Sequence, residues 1–393
     1  MNILFISYWG INEGLTQSTV IPNIKILLQN RSIYKVILIT IEREEIPKPV
    51  YISDKTEHIP ILSKSNSIPY LGNILDFITI PRTINKLCAV FKINKIIARG
   101  APGGALAYMI SKRNDIPFFV ESFEPHSDYM KESGVWKKWS LKYLFQKRWE
   151  KKQCQTASGI MTVSEGYTKL LTNRLHREIK IRTVPCAVNM ADFKYNLTDR
   201  IKIRKDLNLK DDQIVGIYVG KFGGLYIDLD EINKLRPLFE YFENLNLIIL
   251  TSNPVHEVRT AFDPIIKSKE NIFIKNISYN EVPKFLSAAD FGLSLNKRFQ
   301  SGRFLSPIKH GEYWANGLPV LMTDGIGDES SFLEEEKGGV LFNEHNLMSS
   351  LNKLQRILDD PNHRKKIPEL ARKYRSFDKV KQAYERMIIS SEE

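Results

Sequence analysis

Short apolar runs rich in β-branched residues alternate with helix-length segments along most of the chain. In the first half the runs are MNILFISY, YKVILITIE, INKIIAR, IPFFVESF and ASGIMTVS. The second half repeats the pattern with QIVGIYVGKF, LNLIILTSN, NIFIKNI, FGLSLN, PVLMTD and GGVLFN. Continuous apolar strands separated by helices predict parallel sheets covered on both faces. Between the halves lies VPCAVNMADFKYNLTDR, a polar, broken stretch that reads as a linker. The expected architecture is α/β, with two doubly wound Rossmann-like domains facing a central cleft. The domains are expected at residues 1–195 and 196–393, with the last helix able to cross back to the first.

A chain of 393 residues accommodates two such domains. Hydrophobic residues at 42% and charged residues at 26% are ordinary globular values and argue against disorder. No run reaches the roughly 18 apolar residues of a spanning helix. The start, MNILFISYWG, lacks the basic and apolar regions of a secretory signal. Three scattered cysteines (Cys88, Cys154, Cys186) form no disulfide framework, which fits a cytoplasmic protein. The net charge of +12 is unevenly spread. Residues 1–195 carry 28 Lys+Arg against 16 Asp+Glu, whereas residues 196–393 carry 29 of each. The stretch 131–152 alone holds eight bases and two acids. Such asymmetry points to an anionic partner for the first half.

The densest candidate chemistry is SPIKHGEYWANGLPVLMTDGIG, residues 306–327. Ser306 reads as a helix N-cap and Pro307 as the first helical residue, with Lys309 and Glu312 on one face. Free N–H groups and a lysine at a helix start suit a phosphate. A carboxylate one turn further in suits the paired hydroxyls of a ribose. On these residues alone, a capped helix with Lys309 and Glu312 paired to each other serves equally well. No GxGxxG or GxxxxGK[ST] loop occurs, so ordinary dinucleotide and P-loop chemistry lose support.

The motif SPIKHGEYWANGLPVLMTDGIGDE resembles the donor-nucleotide motif of family-four retaining glycosyltransferases of the GT-B fold. The similarity is to the subgroup with an SPTKxGEYxAxGxPV-like pattern. VSEGYTKLL, VPCAVNMADF, GIYVGKFGG and LSAADFGLSL resemble further family segments. The resemblance implies a nucleotide-diphosphate sugar as donor and no cofactor. It implies that Glu312 holds the ribose, and that Ser306, Pro307 and Lys309 meet the diphosphate. Lys221 would be a second cation there, in the loop containing Gly223, and His126 in EPHSDY would lie near the transferred sugar. Two positions depart from the family pattern. Tyr226 stands where a second lysine is usual, and Phe304 stands where an acid is usual. Lys309 is then expected to supply the missing charge, with Arg298 or Arg303 as helpers, and the donor sugar stays unassigned.

Other signals are weaker. His126 follows an apolar run, so it is expected just past a strand's carboxyl end, where an exposed loop histidine is the plain alternative. Arg99–Gly100, and Glu13–Gly14 with Thr16 and Ser18, occupy similar strand ends and read equally as acceptor or diphosphate contacts or as turns. Asp228-Leu229-Asp230 has the DxD form of metal-dependent transferases but sits beside a helix-like segment, where early acids suit the dipole. The seven histidines show no ligand spacing, so no metal is expected.

The reading is a metal-independent, retaining glycosyltransferase of cell-surface polysaccharide synthesis, acting on a saccharide or lipid-linked saccharide acceptor. A nucleotide-sugar epimerase on the same fold is the rival enzyme, kept open by Glu121, Glu124 and Asp128. A basic nucleic-acid-binding protein is the rival from another class, although no recognised motif supports it. In 131–152, Trp136, Trp139 and Tyr143 recur at helical spacing among lysines. Together with the lipid-linked acceptors of many relatives, this predicts peripheral binding at the inner face of the cell membrane.

Overall fold

The computed structural model describes all residues except 66–70, 123, 176–177, 225, 267–270, 343–346 and 390–393, and the side chains of 71, 73 and 74. The chain divides into two compact units. One comprises Met1–Lys131, Trp136–Pro185 and the chain from Phe377 on, and the other comprises Glu132–Val135 and Cys186–Ser376.

The first unit holds β1 (Asn2–Ser7), β2 (Lys35–Glu42), β3 (Thr56–Leu62), β4 (Lys95–Arg99), β5 (Phe118–Ser122), β6 (Gly159–Thr162) and β7 (Lys180–Thr183). Their order is β3-β2-β1-β4-β5-β6-β7, every neighbouring pair parallel. Val36, Ile37, Leu38 and Ile39 are consecutive and all buried, because helices cover both faces of a central strand. The edge strands β3 and β7 were not legible as apolar runs. KIRT alternates exposed and half-buried positions, and TEHIPIL buries only His58. An edge strand needs only partial burial, so its pattern is weak.

The second unit holds β8 (Val215–Val219), β9 (Asn246–Leu250), β10 (Ile272–Lys275), β11 (Phe291–Ser294), β12 (Val320–Thr323) and β13 (Gly339–Phe342). The order β10-β9-β8-β11-β12-β13 is again wholly parallel. All six coincide with apolar runs read from the sequence. The order reverses between β8 and β11, so the loops leaving these strands flank the crevice in which doubly wound sheets hold ligands.

The change of unit falls at Pro185–Cys186, ten residues before the boundary expected at 195. The reason lies in packing: the Val188 N–H donates to the Arg375 carbonyl at 2.9 Å, and Phe193 is buried in the core of the second unit. The chain returns to the first unit after Ser376. There Tyr384 donates its hydroxyl to Glu121, and Lys95 Nζ donates to the Ile388 carbonyl at 2.6 Å.

Residues 131–152 differ from the expected single helix. One helix, His126–Glu132, ends early, and the next, Leu141–Thr156, begins only after Ser140, whose hydroxyl accepts the Tyr143 N–H. Gly134 takes a left-handed φ of +80° in the connection. Trp136 and Trp139 therefore lie in a loop and do not share a helix face with Tyr143. No helix among the described residues is long and apolar enough to cross a membrane.

Candidate functional site

The helix Ile308–Ala315 leads into β12 and is buried on all sides, from Lys309 through Ala315. Its rigid seat comes from Trp314, whose indole N–H donates to the Gly338 carbonyl at 2.9 Å, and from Tyr313. The Tyr313 hydroxyl donates to the Leu293 carbonyl at 3.2 Å and accepts the Val219 N–H at 3.1 Å, which ties the helix to β11 and to the end of β8. Pro307 is the N-cap and Ile308 the first helical residue, one position later than the spacing suggested. Ser306 makes no cap bond and instead accepts a hydrogen bond from Arg375.

Lys309 and Glu312 do not pair by hydrogen bonding. The Lys309 side chain is 9% exposed, and its ammonium has no hydrogen-bond partner among the described residues. It lies 4.8 Å from the ring centre of Tyr218 and 5.0 Å from that of Tyr226, so cation–π attraction holds it. A Cβ added to Gly220 would approach Nζ to 3.1 Å, and Gly220 has φ +150°, so only glycine fits where the chain leaves β8. Burial lowers the Lys309 pKa to about 8, partly offset by the charge of Glu312. Glu312 accepts the Tyr279 hydroxyl at 2.7 Å. Burial raises its pKa to about 7 against the opposing effects of Tyr279 and Lys309. A buried ammonium without a hydrogen-bond partner among the described residues and a buried carboxylate with one donor are both costly to hold charged.

The loop after β8 frames the same place. Lys221 is exposed and its ammonium makes no ion pair among the described residues, while its carbonyl accepts the Tyr218 hydroxyl at 2.6 Å. Phe222 N–H donates to Asn253 Oδ1 at 2.9 Å, and Gly223, at φ +83°, turns the chain back toward Ile227. Tyr226 bridges Asn296 on the loop from β11. Thus Ser306, Pro307, Lys309, Glu312, Lys221 and Gly223 all fall on the helix or loops at this crevice. Phe304 is buried, with the Arg303 guanidinium over its ring at 4.8 Å. Arg298 is engaged elsewhere, donating to the Phe342 carbonyl at 3.3 Å.

Several contributors carried no sequence signal. Tyr279 lies outside every motif, and Tyr218 is an ordinary strand residue until the fold places it under Lys309. Arg375, outside every motif, forms a buried pair beneath the helix with Glu329, the last residue of the motif at 306–329. Burial alone would raise Glu329, but Arg375 and His310 hold its carboxyl down at about 2. His310, fully buried, has Nε2 2.8 Å from Ser294 Oγ.

In the first unit, His126 opens its helix just past β5, as expected, and its Nδ1 lies 2.8 Å from Glu124 Oε1. Burial works against its charge, yet the bond and charge of Glu124 and the charge of Glu150 together raise its pKa. Trp136 packs edge-on to its ring at 5.7 Å. The neighbouring carboxylates are engaged. Glu121 is buried against Arg99, and Asp128 pairs with Lys147 and with Lys131 at 3.5 Å. Gly100 backs onto Trp9, Glu13 pairs with Arg43 at 2.8 Å, Thr16 Oγ1 lies 3.3 Å from Ser7 Oγ, and Ser18 bonds the Gly14 carbonyl. Asp228 begins the 3-10 helix Leu229–Leu235 and pairs with Lys297 at 2.6 Å, which is the capping role read from the sequence.

Residues 199–374 match the family Glycosyl transferases group 1. This segment is a glycosyltransferase group 1 domain. The enzyme class read from the sequence stands on that domain, which contains Lys221, Lys309 and Glu312. No match was found among curated proteins. Among solved structures, sucrose-phosphate synthase from Thermosynechococcus elongatus is similar at 15% identity and TM-score 0.75, covering 100% of both chains. The Anabaena protein HepE in complex with UDP and glucose is similar at 12% identity and TM-score 0.71, covering 99% of this chain and 100% of that one. WaaG, a glycosyltransferase involved in lipopolysaccharide biosynthesis, is similar at 16% identity and TM-score 0.68, with 99% and 100% covered. The fold is GT-B.

Proposed function

We propose that the protein is a retaining, metal-independent glycosyltransferase that moves a sugar from a nucleotide-diphosphate sugar to a saccharide or lipid-linked saccharide acceptor. The observation that carries this reading is the buried, unpartnered ammonium of Lys309 one turn from the buried carboxylate of Glu312. A diphosphate lying over the loop Gly220–Gly223 supplies the anion that Lys309 lacks, and Lys221 meets it from the solvent side. Glu312 accepts the ribose hydroxyls. As the glycosidic bond breaks, negative charge gathers on the departing diphosphate, and these fixed cations stabilise it without reorganising. His126 orients the transferred sugar, and the protein supplies no nucleophile. UDP in the HepE complexes supports a uridine donor as the first to test. The test is nucleotide release from a panel of nucleotide sugars with excess EDTA present throughout. Release from none of them, or release only after a divalent metal is restored, contradicts the reading. His126→Ala is expected to lower kcat about a hundredfold while UDP affinity stays unchanged, because the imidazole meets sugar and not nucleotide. Isothermal titration with UDP, beside turnover of the active donor, checks this.

We also propose that residues 131–152 place the enzyme on the inner face of an anionic membrane, within cell-surface polysaccharide synthesis. The support is an exposed apolar cluster in which Trp139 is 76% and Leu141 84% exposed, alongside exposed Leu144 and Phe145. Lys137, Lys138, Lys142 and Arg148 are exposed around it. Each base near an anionic leaflet contributes about 1 kcal/mol, and indole favours the interface. The protein is expected to float with vesicles containing phosphatidylglycerol, less so at high salt. Charge reversal at Lys137, Lys138 and Lys142 should abolish flotation while UDP binding persists. Failure to float at low salt would leave this surface as scaffold.

A further inference from the structure

Arg375 is among the largest fully buried side chains, 1% exposed, at the end of the helix Pro368–Arg375. Its guanidinium donates to Glu329, to the Ser306 hydroxyl and, at 3.2 Å, to the Cys186 carbonyl. Its own carbonyl accepts the Val188 N–H at 2.9 Å. Its side-chain carbons run across Gly311, where an added Cβ would meet them at 3.3 Å. These partners have a common significance. The long stretch of the second unit begins at Cys186, and Ser376, next to Arg375, is its last residue. Ser306 begins the turn before the helix of Lys309 and Glu312. One planar fork therefore joins the crossings at the two ends of this stretch to the proposed diphosphate turn. A buried ion pair is weak evidence for stability, since apolar residues of similar size often replace one without loss. Its fixed directional bonds specify geometry better than they add free energy.

We propose that Arg375 is a positioning residue that couples nucleotide occupancy of the Ser306–Lys309 turn to the chain crossings at the two ends of the stretch Cys186–Ser376. The proposal rests on the donor site described above. A ligand that orders this turn fixes the Ser306 hydroxyl, which fixes the guanidinium and, through it, the Cys186 carbonyl and the Val188 amide. Glu329 holds the far side of the fork, and its strongly depressed pKa keeps the pair charged across the working pH range.

The test is hydrogen exchange followed by mass spectrometry, with and without saturating UDP, on peptides covering residues 184–190 and 374–380. In the wild type, UDP should slow exchange in both peptides. In Arg375→Met/Glu329→Leu, which removes both charges together, UDP should still bind and protect the turn at 306–309, but protection at the crossings should be lost. Arg375→Lys keeps the charge and loses the fork, so it should retain UDP binding with the crossing response largely gone; this second variant decides the matter if the double variant does not fold. An unchanged UDP response at the crossings in either folded variant overturns the coupling, as does a wild type that binds UDP without any response there. A wild type that binds none of UDP, GDP, ADP and TDP by calorimetry overturns the donor reading instead, and the coupling falls with it; if another of these binds in place of UDP, the exchange experiment is run with that nucleotide.

Discussion

Replacing Glu312 by alanine should weaken UDP and UDP-sugar binding by roughly a hundredfold or more, with kcat/KM falling at least as far. In the proposed donor site this removes two hydrogen bonds from ribose hydroxyls to a buried carboxylate, each worth about 1.5–3 kcal/mol, and every 1.4 kcal/mol is about tenfold. The same site predicts an opposite effect on stability. Glu312 has its pKa raised to about 7 because it is buried. A carboxyl raised in the folded state stabilises the fold only while protonated, so its contribution is present below the ordinary carboxyl range and is lost as pH rises through 7. At pH 8 the ionised, empty site therefore costs on the order of 3 kcal/mol. Glu312→Gln keeps an acceptor for Tyr279 and removes the charge, so the ligand-free variant should melt higher than the wild type at pH 8 while binding UDP poorly. Thermal melts with and without UDP measure both halves. A variant that melts lower and binds UDP normally would make Glu312 an ordinary core residue.

The division between what the sequence revealed and what it hid follows from range. The six strands of the second sheet are local apolar runs; the inner four (β9, β8, β11 and β12) were legible because a central parallel strand needs burial along its whole length, and the edge strands β10 and β13 are apolar although β10 is only partly buried. The edge strands β3 and β7 need less burial, and KIRT and TEHIPIL show little pattern. Ser306–Glu312 was legible as a helix start because helix-start chemistry is written within a few residues. Its environment was not. Tyr279, Tyr218 and Arg375 reach the turn from elsewhere in the chain, and only the fold brings them there. The helix predicted through Trp136 and Trp139 failed for a local reason that could have been read: Gly134 supplies a left-handed φ, and Ser140 is a strong N-cap. Aromatic spacing outweighed both signals. The loop they create leaves Trp139 exposed instead of packed.

UDP affinity should rise and then fall with pH, and the two limbs should belong to different residues. Glu312, raised to about 7, loses its charge as pH drops below that value and then accepts ribose hydroxyls less well. Lys309, lowered to about 8 by burial, loses its charge as pH rises above that value and no longer attracts the diphosphate. The two groups interact, so the limbs report apparent values of the pair. A bound diphosphate favours the charged amine, so UDP binding near pH 8 should take up protons, visible by calorimetry in buffers of different ionisation enthalpy. Lys309→Met should weaken UDP by about tenfold to a hundredfold at pH 7 and remove the alkaline limb, because one charge-assisted contact is lost. Glu312→Gln should remove the part of the acid limb that does not come from the phosphate itself. Uridine separates these contributions: lacking phosphate, it should bind Lys309→Met as it binds the wild type and should show the acid limb alone. If the alkaline limb for UDP survives in Lys309→Met, the diphosphate sits on Lys221 and the exposed loop, and the buried ammonium serves some other ligand.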